Sequence, residues 1–246
     1  MEDRRSESQQ RKLLDEFFDH RTLLAISRLI TQGQFESLDY PISTGKEGGV
    51  FRATFPGGFR AVKVYRIGNA IFRRLPAYAQ EALQREAADG NRGRLIYAWT
   101  RREHSILRAL TSAEVPVPQP YGYLRNVLVM EFIGDEEGIP CLRLQETRLE
   151  DPEGFYRELV TALRRMVEKA RLVHGDLSPY NVLVRDGHPV LIDVAQSIEA
   201  THPQAAELLR RDGTNFAKYF ARLGVETDAE RFLEAVGFHV LVPPEA

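Results

Sequence analysis

Apolar residues recur with two periods along the chain, and these periods separate a first half rich in strands from a second half rich in helices. Helical spacing predicts helices over residues 13–32, 79–110, 153–171, 203–222 and 228–236, the second with a break near residues 90–93. Strand alternation and turn residues predict a glycine-rich turn and strand within 42–55 and further strands over 59–65, 121–123, 126–133, 182–185 and 190–194. This order predicts an α+β fold with two lobes, over residues 1–133 and 134–246, which begin to separate at the polar, acidic linker 134–140.

The composition is that of a globular protein and excludes several other classes. Apolar residues make up 43% of the 246 residues and charged residues 28%, which excludes a collagen-like or wholly disordered chain. The single cysteine, Cys141, excludes an intrachain disulfide and a cysteine cage for zinc. No apolar run reaches the roughly 20 residues that cross a membrane, and the first residues are polar. We therefore expect a cytoplasmic protein that does not bind a membrane.

The strongest chemical signal is the stretch His174-Gly-Asp-Leu-Ser-Pro-Tyr-Asn181. Asp176 and Asn181 are five positions apart in a loop that enters an apolar strand, and Asp193 follows the next strand. Phosphoryl transfer from ATP requires a carboxylate that orients the attacking group and oxygen ligands for magnesium. Asp176 fits the first requirement, and Asn181 and Asp193 fit the second. Each of these residues alone would be an ordinary turn former, but the set favours phosphoryl transfer.

A glycine-rich turn lies upstream, formed by Ser43, Thr44, Gly45 and Lys46 and followed by two more glycines at positions 48 and 49. Glycines allow backbone N–H groups to approach phosphates closely. The same pattern also suits a tight hairpin, so the turn by itself is weak evidence for a phosphate site.

Lysine is scarce in this chain, since only five of its 33 basic residues are lysines. Lys63 nevertheless lies in an apolar strand, between two valines that face the other way, and shares its face with Ala61 and Tyr65. It is either an edge-strand charge or a lysine that holds phosphates. Glu103 on a later helix is the acid that would pair with it in the second case.

The apolar strand from Val127 to Gly134 runs into the predicted linker. Such a strand can offer backbone groups to an adenine edge. Met130 would then line the base pocket, and residues Glu131 to Ile133 would present the backbone. The alternative for Met130 is that it simply fills the core.

With these residues in place, the chain resembles the RIO family of atypical protein kinases, and most closely its Rio-one subfamily. The matching stretches fall within residues 19–223 and are Ser43–Glu47, Ala61–Tyr65, Trp99–Glu103, Val129–Gly134, His174–Asn181 and Ile192-Asp193. In addition, Asp19 to Leu23 resembles the family's extra N-terminal helix, and Leu208 to Asp212 resembles the segment after its metal-binding aspartate.

The resemblance implies a protein-kinase-like fold with an ATP-binding N-terminal lobe and a reduced catalytic lobe. It implies a serine/threonine protein kinase that uses ATP with Mg²⁺, or with Mn²⁺. It assigns catalysis to Asp176, metal binding to Asn181 and Asp193, and phosphate binding to Lys63 with Glu103 and to Ser43–Lys46. It also implies action on the precursor of the small ribosomal subunit, either as a kinase of an unknown protein substrate or as an ATPase switch that passes through phosphorylated Asp193.

The sequence departs from the family pattern at several positions. Pro179 stands where the family usually has an acidic residue, and Gly213 stands where it usually has an aliphatic one. Residues 66–98 contain no serine or threonine, which excludes autophosphorylation on those residue types there. Thr100 and Ser105 are the nearest candidates beyond this stretch.

Two other functions compete with this interpretation. Small-molecule phosphotransferases of the aminoglycoside or choline kinase kind also have His-Gly-Asp with an asparagine five residues after the aspartate, but they need a larger C-terminal lobe. A nucleotide-binding scaffold without transfer is the non-enzyme alternative. It does not explain why Lys63, Asp176 and Asp193 are all present.

The net charge of −2 is an average over unlike parts of the chain. Residues 60–108 contain eleven lysines or arginines and four acids, a balance of +7, so the rest carries −9. About half of these basic residues are expected to be solvated helix charges. The others could contact ribosomal RNA phosphates, in particular Arg73, Arg74, Arg85, Arg92 and Arg94.

Overall fold

The computed structural model describes residues 17–45, 48–66, 80 and 92–240. The chain forms two compact units. The first contains residues up to His104, together with 120–132 and 136–138, and the second contains 105–119, 133–135 and 139 onwards. Residues 105–119 thus belong to the second unit although they precede the linker in sequence.

The described helices are α1 (His20–Thr31), α2 (Arg92–Ser112), α3 (Pro152–Glu168), α4 (Ala205–Arg222) and α5 (Ala229–Ala235). The described strands are β1 (Ser37–Thr44), β2 (Gly48–Phe55), β3 (Gly58–Tyr65), β4 (Pro120–Leu124), β5 (Val127–Glu131), β6 (Leu172–Val173), β7 (Val182–Arg185), β8 (His188–Leu191) and β9 (Ile198–Glu199). Three-residue 3₁₀ turns occur at Leu144–Glu146, Pro179–Asn181, Val194–Gln196 and Phe238–Val240. The predicted α+β class, with a strand-rich first part and a helix-rich second part, is confirmed.

Two strand predictions differ from the structure. The strand predicted over 190–194 ends at Leu191, because Asp193 has a left-handed backbone with φ of 57° and begins a 3₁₀ turn. A strand cannot continue through that conformation. The strand β1 lies largely upstream of the segment for which strand structure was predicted, and its exposed residues give a weak alternation of apolar and polar positions.

The first unit is built on a five-stranded antiparallel sheet with the order β1-β2-β3-β5-β4. Helix α1 begins where the Asp19 carboxylate accepts a hydrogen bond from the Thr22 N–H at 2.7 Å, as an N-cap does. Its apolar stripe packs on one face of the sheet, and the buried cluster there contains Phe17, Ala25, Ile26, Leu29, Phe35, Phe51, Ala53, Val62, Val64, Val127 and Val129.

Two of the predicted site residues, Lys63 and Met130, share one face of this sheet, as the strand register shows. Lys63 lies opposite Val50 on one side and opposite Leu128 on the other, and Ala61 lies opposite Met130. Directly paired residues point to the same side of a sheet. Lys63 and Met130 therefore both lie on the face that α1 does not cover.

The second unit packs α3, α4 and α5 through a cluster of aromatic rings. Phe216 of α4 lies 6.1 Å from Phe220 and 6.4 Å from Phe232 of α5, measured between ring centroids. The hairpin of β7 and β8 turns through Asp186 and Gly187, which both have positive φ, as a two-residue turn requires. In the part of the chain that the structure describes, no helix combines the length and apolar character of a membrane span.

Candidate active site

A buried ion pair joins strand β3 to helix α2 in the first unit. The Lys63 Nζ lies 2.8 Å from the Glu103 Oε1, and only 12% and 3% of the two side chains are exposed. The Tyr65 hydroxyl donates a hydrogen bond to Glu103 Oε2. Lys63 and Tyr65 are two apart on β3 and share a face, which is why both reach the same carboxylate. The predicted pairing of Lys63 with Glu103 is thus present, and Tyr65 is a partner that the sequence alone did not identify.

The predicted phosphate turn lies at the end of β1. Ser43 and Thr44 pair with Val50 and Gly49 of β2, and the Gly45 N–H donates to the Gly48 carbonyl at 2.8 Å. This bond closes a tight turn between the two strands. Lys46 falls outside the described residues.

The predicted adenine segment lies at the end of β5. Met130 is half-buried on the same sheet face as Ala61, and Glu131 is the last residue of the strand. Ile133 is buried, and its carbonyl accepts a hydrogen bond from the Cys141 N–H at 3.0 Å. A carbonyl oxygen has two lone pairs, so this bond leaves the backbone role predicted for Glu131 to Ile133 as a prediction.

In the second unit the loop after β6 carries Asp176 and Asn181. Asp176 is exposed, and Asn181 lies in the 3₁₀ turn immediately before β7. The Asn181 side-chain amide donates to the Asp176 carbonyl at 2.7 Å and lies 3.4 Å from its carboxylate Oδ2. A backbone bond of 3.0 Å from the Ile192 N–H to the Asn181 carbonyl places Asp193 beside this loop.

The buried ring of His174 lies between the loop of Asp176 and the segment that leads to Asp193. Its Nε2 lies 3.1 Å from the Ile192 carbonyl, and the Asp176 N–H points to its Nδ1 at 3.4 Å. The carbonyl requires a donor at Nε2, and the N–H requires an acceptor at Nδ1. Only the neutral ring with its proton on Nε2 meets both requirements. Burial also lowers the pKa of His174, because it penalises the charged ring.

Asp212 of α4 is a buried acid that anchors the same loop. Its Oδ2 accepts a hydrogen bond from the Leu177 N–H at 3.1 Å, and its Oδ1 pairs with Arg211 at 2.9 Å. Arg211 also donates to the Gly175 carbonyl at 2.7 Å, so both peptide groups that flank Asp176 are held. Burial raises the pKa of Asp212, while the Leu177 N–H and Arg211 oppose this shift. The position of Asp212 within the apolar stripe of α4 indicates its burial, but not its hydrogen-bond partners.

The carboxylate of Asp176 is open to solvent on one side and faces protein atoms on the other. The partial loss of hydration raises its pKa, and the positive charge of Arg211 opposes that shift. The result is a carboxyl group held by its loop at both neighbouring peptides, as a residue that orients an attacking hydroxyl or water requires.

The donor groups at Asn181 and Asp193 suit magnesium. The amide nitrogen of Asn181 is engaged by the Asp176 carbonyl, which leaves its amide oxygen as the group that a cation would use. Asp193 supplies an exposed carboxylate. One amide oxygen and one carboxylate are the kind of protein ligands that Mg²⁺ takes together with phosphate oxygens.

The two autophosphorylation candidates have different environments. Thr100 is fully buried in α2, and its hydroxyl donates to the Ile96 carbonyl at 2.9 Å. Ser105 is exposed. Of the two, only Ser105 can accept a phosphoryl group without unfolding of the helix.

Known proteins match this chain over most of its length. A family model named RIO1, for the RIO domain, matches residues 49–232. The chain is 39% identical over 236 residues to the RIO-type serine/threonine-protein kinase Rio1 of Haloferax volcanii, and the match covers 95% of this chain and 80% of that protein. It is 34% identical over 220 residues to the human serine/threonine-protein kinase RIO1, but it spans only 39% of that longer protein.

Among solved structures, the Rio2 kinase from Chaetomium thermophilum, in an ADP/Mg²⁺-phosphoaspartate complex, has a TM-score of 0.65 to this chain. The match covers 87% of this chain and 65% of that one at 23% sequence identity, and it shows that the fold is shared. The family model and the archaeal relative together establish that the chain belongs to the RIO1 family of atypical serine/threonine protein kinases and is a phosphotransferase.

Proposed function

We propose that this kinase uses Asp176 to orient the attacking group and Lys63 to hold the ATP phosphates. The observation that carries the proposal is the 2.8 Å pair between the Lys63 Nζ and the Glu103 Oε1. A lysine that is 12% exposed and fixed on a carboxylate is held in one position before the nucleotide binds. A fixed cation lowers the cost of organising the phosphates.

Magnesium, when held by Asn181 and Asp193, neutralises charge on the phosphate oxygens, and Mn²⁺ is proposed as a substitute. The residues Ser43, Thr44, Gly45 and Lys46 are proposed to cover the phosphates. Met130, Glu131 and Ile133 are proposed to contact the adenine base. Arg211 and Asp212 keep the loop around Asp176 in place through the bonds to Gly175 and Leu177.

We further propose an ATPase switch that acts on the small ribosomal subunit precursor, a particle of protein and rRNA. In this scheme a carboxylate oxygen of Asp193 attacks the γ-phosphorus of ATP, the bond to ADP breaks, and ADP leaves. Water then attacks the phosphorus of the acyl phosphate, the bond to the Asp193 oxygen breaks, and inorganic phosphate leaves as the carboxylate is restored. The Rio2 kinase structure that shares this fold contains ADP, Mg²⁺ and a phosphoaspartate, which supports this scheme.

The two activities are separated by incubation of the protein with γ-³²P-labelled ATP and Mg²⁺, with and without purified small-subunit precursors. The switch predicts phosphate release that the particle stimulates, and a transient label on the protein that hydroxylamine removes, since hydroxylamine cleaves acyl phosphates. A label on a precursor protein that resists hydroxylamine indicates a serine/threonine kinase acting on that protein. Transfer of the label to an aminoglycoside or to choline would contradict both.

A further inference from the structure

The predicted linker, residues 134–140, is a small hairpin in the structure. An isolated bridge joins its first and last residues. Within it the Asp135 N–H donates to the Ile139 carbonyl at 3.0 Å, and the Ile139 N–H donates to the Asp135 Oδ1 at 2.7 Å. The tip of the hairpin, residues 136–138, belongs to the first unit. The linker therefore has a defined shape, and its tip packs with the strands of the first unit.

Arg52 of β2 holds this tip. Its Nη1 donates a hydrogen bond to the Gly138 carbonyl at 3.3 Å, and the Tyr40 hydroxyl donates to the same oxygen at 3.2 Å. A carbonyl oxygen has two lone pairs and can accept both bonds. The Arg52 Nε in turn lies 2.9 Å from the Asp39 Oδ2, and only 18% and 14% of these two side chains are exposed. One planar guanidinium thus bonds to a carboxylate and to the linker through separate N–H groups.

The residue at the tip is a glycine because the backbone comes so close to these side chains. Gly138 has φ of 84°, a conformation that other residues rarely adopt. A Cβ built on Gly138 would meet the Arg52 Nη1 and would lie 2.7 Å from the Phe59 Cε2. A side chain at this position would therefore push the tip away from Arg52.

Arg52 also lies beside the predicted adenine segment. By the strand register it lies opposite Ala61, and Ala61 lies opposite Met130, so all three share one face of the sheet. The guanidinium carbon of Arg52 is 4.3 Å from the centroid of the Phe59 ring. That ring is 5.8 Å from the ring of Phe132, which is buried. Arg52 therefore contacts the linker tip directly and reaches Phe132 through a single ring.

We propose that Arg52 is a positioning residue for nucleotide binding, which holds the predicted adenine segment, residues 131–133, in place. The chain is held within this segment at Phe132 and again downstream at Gly138. A segment that is ordered before the base binds loses less conformational freedom on binding. The inference rests on the proposed function in one respect, because it takes residues 131–133 as the segment that contacts the adenine base.

The test is calorimetric titration of the full chain and of Arg52→Gln with Mg²⁺-ATP and, separately, with Mg²⁺-tripolyphosphate, which has the phosphates without the base. We expect the affinity of Arg52→Gln for ATP to fall about tenfold, the loss that corresponds to one hydrogen bond of a charged group. Its affinity for tripolyphosphate is expected to stay unchanged. The control is Arg164→Gln, which also removes an arginine that donates to a backbone carbonyl, that of Ala235 at 2.7 Å in the second unit. This control should bind both ligands like the unmodified chain.

A milder variant tests the same contact from β1. Tyr40→Phe keeps the ring, whose centroid is 4.5 Å from the Arg52 guanidinium carbon, and removes one of the two bonds to the Gly138 carbonyl. Its affinity for ATP is expected to fall about threefold. Hydrogen exchange of the linker amides in the chain without nucleotide measures the hold on the linker itself. Exchange is expected to be faster in Arg52→Gln than in the unmodified chain.

Unchanged ATP affinity in Arg52→Gln would overturn the proposal, even with faster exchange in the linker. An equal loss of affinity for ATP and tripolyphosphate would also overturn it, because that result indicates that Arg52 acts through its charge on the phosphates. Failure of the proposed function gives a different result. The unmodified chain would then bind tripolyphosphate as tightly as ATP, although exchange in the linker would still be faster in Arg52→Gln.

Discussion

Lys63 and Glu103 are both withdrawn from water, and their ion pair offsets part of the cost of burying each charge. Removing one partner of a buried ion pair typically costs about 3–5 kcal/mol. An exposed pair such as Arg157–Glu153, with side chains 67% and 71% exposed, contributes about 0–1 kcal/mol. These two pairs give a matched comparison on one chain.

Glu103→Gln is expected to lower the free energy of unfolding by about 3 kcal/mol and to weaken ATP binding, since Lys63 loses its fixed position. Glu153→Gln is expected to change both by little. Urea unfolding and calorimetric titration with ATP and Mg²⁺ measure the two quantities. If the two variants behave alike, the Lys63–Glu103 pair does not have the role assigned to it.

At the same scale, residue type and spacing indicate candidate site residues more readily than supporting contacts. The candidates proposed in this way are Lys63, Glu103, Asp176, Asn181 and Asp193. The hydroxyl of Tyr65 and the carboxylate of Asp212 were not among them, because their importance depends on which distant groups the fold brings to them. The Asp212 carboxylate accepts a hydrogen bond from the Leu177 N–H, which lies 35 residues away in sequence.

At the scale of elements, helix α4 approaches α5 at a glycine. A Cβ built on Gly213 would lie 2.8 Å from the Phe232 Cδ1, and the Phe232 ring is fully buried. This contact accounts for glycine at a position where the family usually has an aliphatic residue, since in this chain the Phe232 ring occupies the space.

Gly213→Ala is therefore expected to destabilise the protein although alanine favours helices by about 1 kcal/mol. Overpacking typically costs about 1–3 kcal/mol, so a net loss of about 1 kcal/mol is expected in urea unfolding. Asn215→Ala, at an exposed position of the same helix, is the control and should be neutral or stabilising. In a chain that carries Phe232→Leu, Gly213→Ala should lower the free energy of unfolding by less than it does in the unmodified chain. An equal loss in both chains would contradict the contact.

The elements themselves were largely predictable, because amphipathic spacing and turn residues are local. The end of β8 was not predictable. It is followed by Asp193 in a left-handed conformation, and the residue type alone does not require that conformation. The start of β1 was also missed, because a strand with few buried residues shows little alternation.

At the scale of the whole molecule, the division into two units crosses the chain several times. The lobe boundary at the linker 134–140 stays a prediction, and residues 105–119, which precede that linker, belong to the second unit. The charge pattern also belongs to this scale. The net charge of −2 is the sum of +7 on residues 60–108 and −9 on the rest of the chain.

The proposed mechanism requires that Asp193 binds the metal and that Asp176 acts on the reacting group. The direct measurement compares Asp176→Ala with Asp193→Ala in calorimetric titration with ATP, with and without Mg²⁺, together with phosphate release. Asp193→Ala is predicted to lose the Mg²⁺-dependent part of ATP binding. Asp176→Ala is predicted to bind Mg²⁺-ATP like the unmodified chain and to turn over at least about a hundredfold more slowly. Normal turnover in both variants, or Mg²⁺-dependent binding retained in Asp193→Ala, would contradict the assignment.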